Sequence, residues 1–517
     1  MSGTERLQKA ISLTITAGYQ LNKEAFDFLS MLAAAEDPAE IMEKAVRKIA
    51  ELDEKPLFIE KSFLEQLVAT PGTPSEISDE SQRKEPEPQK PQVTEAKRLF
   101  HPYAKEVSSD FKVIEDPGAK LSTDGKVEDY VQYFQDRFKR MEKLLRQRMD
   151  VKSAASIIDA LKAQPNTRFK IIGMITEKRE SKGKIILNVE DLQGNITVLV
   201  PQNASEDLQE KAQMLLLDQV VCLAVLKTRS NLLIAEDIIL PDVPQRTQHK
   251  ATEPVYAVLT ADLHVGSAKF QRETFNRFVL WLNGKYGNGK MQEIAGRVKY
   301  VVVAGDIVDG IGVYPNQVKE LAIRDINKQY RLAARCLEQI PDYIEVIVTP
   351  GNHDASRKAL PQPAISEDLL KTLEETRRIQ SLGSPCLISL HGVEILVYHG
   401  RSLDDVISTV PGMNINHPEK AMKLLMQGRH LAPVYGGKTM LSPENRDQLV
   451  IEHIPDIFHA GHIHALGYMN YRGVLIVNSG CWQDQTEYMR RNGFMPTPGI
   501  APVVNLQTLE VNMVPFN

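Results

Sequence analysis

Apolar positions along this chain follow three rhythms, and each rhythm predicts a different kind of element. In the first 67 residues they recur every three or four. Ile41, Ala45, Ile49 and Leu52 follow Asp37-Pro38, an N-cap with proline at the first helical position, and Asn22 precedes Lys23-Glu24-Ala25-Phe26 in the same way. A small all-α module is predicted over 1–67. The helical period returns at Val127, Val131, Phe134, Phe138, Met141 and Leu145, predicting one amphipathic helix over 127–149. Its other face carries Arg137, Lys139, Arg140, Lys143, Arg146 and Arg148, either a solvated face or a contact for nucleic acid or a partner subunit. From 166 to 245 the apolar runs are short and punctuated by turn signals at Lys182-Gly183 and Gln193-Gly194-Asn195, the pattern of a small β-barrel. From 253 to 517 the rhythm changes to unbroken apolar runs at 255–259, 300–304, 343–348, 395–397 and 457–460, which read as strands buried on both faces.

Two stretches lack rhythm. Residues 68–95 are rich in Pro, Glu, Ser and Lys and cannot bury enough apolar surface to offset their ordering entropy, so a disordered, proline-extended linker is expected there. Within the connecting segment 96–165, Leu99-Phe100-His101-Pro102-Tyr103 is an aromatic island in polar sequence. It is either a docking peptide, for instance for a sliding clamp, or a strand packing on the next domain.

Composition narrows the picture. A chain of 517 residues, 42% of them hydrophobic, has core for two to four domains. Cys222, Cys336, Cys386 and Cys481 stand far apart, which indicates neither a disulfide framework nor a thiolate zinc site and suits a reducing cytoplasm. The longest apolar runs fall short of the roughly 18 residues that span a bilayer, and Met1 to Arg6 show no signal-peptide pattern, so no membrane association is expected. With a net charge of −5 the chain as a whole has no polyanion footprint; contacts with nucleic acid must be local or shared with a partner.

Each of the five buried runs ends in a string of ligand-type residues: Ala261-Asp262-Leu263-His264, Gly305-Asp306-Ile307-Val308-Asp309, Gly351-Asn352-His353-Asp354, Tyr398-His399-Gly400 and Gly461-His462-Ile463-His464. Side chains at the carboxyl ends of strands converge on one sheet edge. Imidazoles, carboxylates and one amide oxygen, without thiolate, suit a pair of divalent ions: Mn²⁺, with Mg²⁺, Fe or Zn²⁺ as alternatives. Any one string is weak, since Asp262 with His264 could be a turn and His399 a satisfied core histidine. Five in order after five strands are specific.

That order, D-x-H, G-D-x-x-D, G-N-H-D, H, G-H-x-H, resembles the calcineurin-like metallophosphoesterase superfamily over 253–517. The resemblance implies a β-sandwich flanked by helices. It implies that Asp262, His264 and His464 hold one ion, that Asn352, His399 and His462 hold the other, and that Asp306 bridges them. His353 would be the general acid, Asp354 would orient it, and Asp309 would orient a ligand. Asn188-Val189-Glu190-Asp191-Leu192-Gln193-Gly194 with Ile196-Thr197-Val198 is similar to an OB-fold hairpin, although the barrel has few aromatics for binding single strands.

Helical module, linker, OB barrel and intact motif set together resemble the small-subunit family of archaeal family D DNA polymerases. The resemblance implies a 3′→5′ proofreading exonuclease acting on primer-template DNA and single-stranded 3′ ends, in a heterodimer with a large polymerising subunit. Three other readings compete. Superfamily Ser/Thr phosphatases follow the second aspartate with Arg-Gly, whereas Asp309 precedes Gly310-Ile311-Gly312. A non-catalytic polymerase scaffold would need no metal, and the superfamily's double-strand-break repair nuclease normally has no barrel ahead of its first motif.

Overall fold

The computed structural model describes residues 10, 13–14, 20–21, 23–32, 37–50, 58–59, 61–68 and 100–517 apart from 122, 231 and 375–376, and it divides the chain into two compact units, Met1–Ala96 and Lys97–Asn517. In the first unit, helices Lys23–Leu32, Pro38–Ala50 and Lys61–Val68 bury Leu29, Ile41, Met42, Ala45, Ile49 and Leu64. Asp37 caps its helix, accepting from the amide of Ala39 at 3.0 Å. The module is not all-α as expected. Gln20–Leu21 and Phe58–Ile59 pair as parallel strands, too short to leave any period in the sequence. The expected linker, from residue 69 on, lies outside the described residues.

The second unit is α+β. Two six-stranded sheets lie face to face with a core between them that includes Ala257, Leu259, Val302, Ile347, Ile388, Ile395 and Val477. The first sheet runs Ile379–Ser381, Glu345–Thr349, Val298–Ala304, Tyr256–Thr260, Ile500–Asn505, Val511–Pro515; its first four strands are mutually parallel. In the second sheet, Val393–Val397, Ile457–Ala460 and Val474–Ser479 are parallel neighbours. Val298–Ala304 is buried at every position, as the unbroken apolar run requires. Helices Arg272–Leu282 and Ile326–Leu337 contribute Phe275, Phe278, Tyr330 and Leu337 to a second core with the first sheet, and Pro418–Gly428 contributes Met422 and Leu425 to a third with the second sheet.

The connecting segment does more than connect. Phe111–Glu115 adds an edge strand to the second sheet, antiparallel to Cys386–Leu390. The aromatic island packs on its own unit, but through a 3₁₀ turn at Tyr103–Lys105 rather than a strand. Phe100 packs on the core behind the first sheet, over Gly284, where a Cβ would lie 2.1 Å from its ring, and the Tyr103 hydroxyl donates to Glu253 at 2.8 Å.

A closed five-stranded barrel of Arg168–Ser181, Lys184–Glu190, Asn195–Val200, Leu232–Ile239 and Val220–Lys227 surrounds Ile171, Leu187, Val198, Leu223 and Leu233. The amphipathic helix spans Val127–Arg146, three residues shorter than expected, because the chain turns at Gln147. Phe138, Met141 and Leu145 pack on Ile172, Met174 and Cys222 of the barrel, while Val127 and Val131 at its start remain exposed.

Lys139 and Lys143 on its basic face are exposed, as a solvated face would be, but Arg137 departs from that reading. Arg137 is 1% exposed and donates to Asp447 at 2.7 Å, so it is neither solvated nor available to nucleic acid. Asp447 also accepts from the Tyr133 hydroxyl at 2.9 Å and lies 2.8 Å from His430 Nε2. Arg140 pairs with Glu452, and Arg146 with Glu142 of its own helix. The helix thus ties the barrel to the sandwich through a buried ionic network.

Candidate metal centre

All five ligand-bearing strings fall just beyond the ends of parallel strands, at one end of the sandwich. The chain turns abruptly there: Asp262, His264, Asp306, His462 and His464 all adopt left-handed backbone, with φ between 51° and 69°. Non-glycine residues rarely do so, and the strain persists only where neighbours over-determine it. Here the loops clasp each other: the amides of Asp262 and His264 donate to the carbonyls of Gly305 and Asp306, each at 3.0 Å, and Gly461 donates to His399 at 2.9 Å. At Gly351 a Cβ would lie 2.2 Å from Asp306 Oδ1, and at Gly461 one would lie 2.5 Å from Asp262 Oδ2, so the carboxylates fit only because these residues have no side chain.

The side chains form overlapping groups. Asp262, His264 and His464 make one: His464 Nε2 is 3.4 Å from Asp262 Oδ1 and 3.0 Å from His264 Nε2. Asp306, His399 and His462 make another, in which His399 Nε2 lies 3.2 Å from Asp306 Oδ2 and 3.0 Å from the amide oxygen of Asn352. Asp306 Oδ2 is also 3.7 Å from His264 Nε2, so this carboxylate stands between the groups. A third group, His264, Asp306 and His353, puts His353 within reach of the same centre.

Outer contacts fix which ring nitrogen faces inward. His264 Nδ1 is held 2.9 Å from Asp309 Oδ1, and His399 Nδ1 donates to the carbonyl of Ala304 at 2.8 Å, leaving both Nε2 atoms for the centre. Asp309 is steadied by Gln317 Nε2 at 3.2 Å and Gln483 Nε2 at 3.0 Å, two glutamines that no sequence motif marked. His462 Nε2 meets Arg401 at 3.2 Å and Asp404 at 3.3 Å. The expectation that Asp354 orients His353 gives way. His353 Nδ1 donates to the backbone carbonyl of Asp309 at 2.7 Å. Asp354 instead collects the amides of Gly351, Ile307 and Val308 and the Tyr330 hydroxyl, locking two ligand loops together.

The electrostatics fit a cation. Asp262 Oδ1 is buried at the centre without a hydrogen-bond partner, a costly arrangement unless something else satisfies it. Burial alone would depress His264, but Asp262, Asp309 and Asp306 push its pKa up to about 10; His399, facing Asp306 and Asp262, rises to about 9. Both rings are driven to hold an extra positive charge where a divalent ion would sit. Burial would raise the carboxyls of Asp262 and Asp306, yet the surrounding imidazoles hold both well below the usual range. His353 goes the other way, depressed by burial to about 4, and Asp354 is raised to about 6 by burial and by Asp306. The cluster forms the floor of a cleft of about 620 Å³ that Arg401, Lys438, Tyr314 and Tyr488 also line.

Similarity to known proteins falls on this same architecture. The family of B-type subunits of DNA polymerases alpha and epsilon matches residues 257–466, the span from the first ligand-bearing strand through His464. The chain is 38% identical over 488 residues to the DNA polymerase II small subunit of Archaeoglobus fulgidus, covering 94% of this chain and 93% of that one. It is 41% identical over 397 residues to the small subunit from Methanothermobacter thermautotrophicus (77% of this chain, 81% of that one), and 34% identical over 516 residues to that of Halobacterium salinarum (97% of each). The chain belongs to the family of archaeal DNA polymerase II, or family D, small subunits.

Proposed function

We propose that this chain is the 3′→5′ exonuclease subunit of a replicative DNA polymerase, removing misincorporated nucleotides beside a large subunit that polymerises. One observation carries the reading: within a polymerase small-subunit family, seven ligand-type side chains, Asp306 at their centre, converge at an open cleft. A scaffold has no need to maintain five strained, mutually clasped ligand positions.

Asp262, His264 and His464 would hold one divalent ion, Asn352, His399 and His462 the other, and Asp306 both; Mn²⁺ is the first candidate for this mixed N and O donor set. When bound, such a pair supplies Lewis acidity to the phosphodiester and lowers the pKa of the attacking water. The remaining work belongs to the protein. Lys438 and Arg401, the latter ion-paired with Asp404, line the cleft where the substrate's phosphates would lie. His353 is held by its Nδ1 on the Asp309 carbonyl, which leaves Nε2 to face the cleft; as an imidazolium it can protonate the departing 3′ oxygen. The barrel, read as an OB-fold, serves as a docking module for the large subunit.

The test is degradation of 5′-labelled single-stranded DNA and mismatched primer-template with Mn²⁺ or Mg²⁺, with and without the large subunit. Products shortening stepwise from the 3′ end support the exonuclease. Release of phosphate from phosphoproteins without shortening would favour a phosphatase, and inertness in every combination a scaffold.

A further inference from the structure

The barrel contributes a single aromatic residue, Phe169, over strands 168–239, too little to stack successive bases. Aromatic surface lies instead at the cleft. Tyr488, 54% exposed on helix Glu487–Arg491, stands with its ring centroid 5.7 Å from that of Tyr314, the planes 38° apart. Tyr314 in turn lies 6.1 Å from the ring of His353. Three rings therefore lead from the solvent toward the candidate reacting groups. The Tyr314 hydroxyl is buried without a partner, so the ring is not placed by a hydrogen bond of its own. Lys438 and Arg401, the latter ion-paired with Asp404, line the same cleft, giving it donors for a phosphate as well as faces for a base.

We propose that Tyr314 and Tyr488 form a stacking platform for the unpaired terminal base, so that the substrate enters as a frayed, single-stranded 3′ end and not as a paired terminus. The inference rests on the exonuclease reading and adds how the site separates a mispaired end from a paired one. A paired terminal base has its faces covered by its neighbour and cannot reach the platform without melting, whereas a mismatched end is already partly unstacked. Base recognition by stacking is sequence-tolerant, as removal of any misincorporated nucleotide requires. Tyr488 is the better probe, because Tyr314 contacts His353 and its loss would disturb the acid as well.

The experiment uses the assembled two-subunit enzyme with Mn²⁺ and two single-stranded oligonucleotides that differ only in whether the 3′-terminal sugar carries a base. The wild-type enzyme should favour the base-bearing terminus in kcat/KM by about tenfold, the scale of one base–aromatic stack. Tyr488→Ala should bring that ratio close to one, and Tyr488→Phe should keep it. A wild-type ratio near one, or an equal loss on both substrates in Tyr488→Ala, overturns the platform while leaving the exonuclease in place. If the wild-type enzyme shortens neither oligonucleotide, the exonuclease reading fails and the platform with it.

Discussion

Asp306 is the residue on which the site turns. Its carboxylate faces His264 and His399 from the middle of the cluster, and its Oδ1 accepts from the His353 amide at 2.7 Å. Asp306→Ala should therefore release both ions, whereas Asp262→Ala, whose Oδ1 faces His264 and His464 while Oδ2 accepts only the backbone amide of His462, should lose mainly one. Elemental analysis of the purified variants distinguishes them, and full double occupancy in Asp306→Ala would refute the shared role. His353 makes the complementary case. If it acts as an acid and not as a ligand, His353→Ala keeps two ions while its rate falls about 10²–10⁴-fold; loss of metal in step with activity would make it a ligand. The ligand types were legible because each string follows a buried strand. Gln317, Gln483, Arg401 and Asp404 were not, since the glutamines act through Asp309 and the other two on His462, by contacts that only the folded loops create.

At the scale of elements, periodicity located the helix Val127–Arg146 but misjudged the place of Arg137. A basic face opposite an apolar stripe ordinarily meets water, and nothing local marks Arg137 as the partner of Asp447, 310 positions away. The consequence is thermodynamic. Arg137→Ala leaves a buried carboxylate short of its strongest donor and should destabilise the protein by about 3–5 kcal/mol, read as a lower unfolding midpoint in urea; a cost below about 1 kcal/mol would show that the network is not what joins helix and sandwich. The same network sets an acid limit. Burial would raise the Asp447 carboxyl, but His430 and Arg137 hold it well below the usual range, so its contribution is present above the ordinary carboxylate pKa and is lost as pH falls beneath it. His430 is held down to about 4 by burial, so the unfolded chain takes up a proton below about 6.5 that the fold refuses. The histidine lowers stability between about pH 6.5 and 4, and the carboxylate continues the fall below that. A urea midpoint that stays flat from neutral pH down to the carboxylate range in the wild type would contradict this account.

For the whole molecule, the class of each region was legible where hydrophobic period and turn signals agreed: helices at the amino end, a barrel near the centre, buried parallel strands after residue 253. What the sequence concealed was membership. Phe111–Glu115 looks like part of a connector and is an edge strand of the second sheet, because a five-residue strand exposed at every position but Phe111 carries too weak a period to be assigned to a partner some 270 residues on. The candidate metal centre draws on both sheets at once, Asp262, Asp306 and Asn352 from loops of the first, His399, His462 and His464 from loops of the second, so its integrity reports on the sandwich as a whole. The most direct test is excision of a mismatched 3′ nucleotide from a 5′-labelled primer by the two-subunit enzyme, wild type against Asp306→Ala, under conditions where both extend a matched primer. The account expects the wild type to remove the mismatch and the variant to leave it while still extending. Excision by Asp306→Ala at the wild-type rate would place the nuclease elsewhere and contradict it.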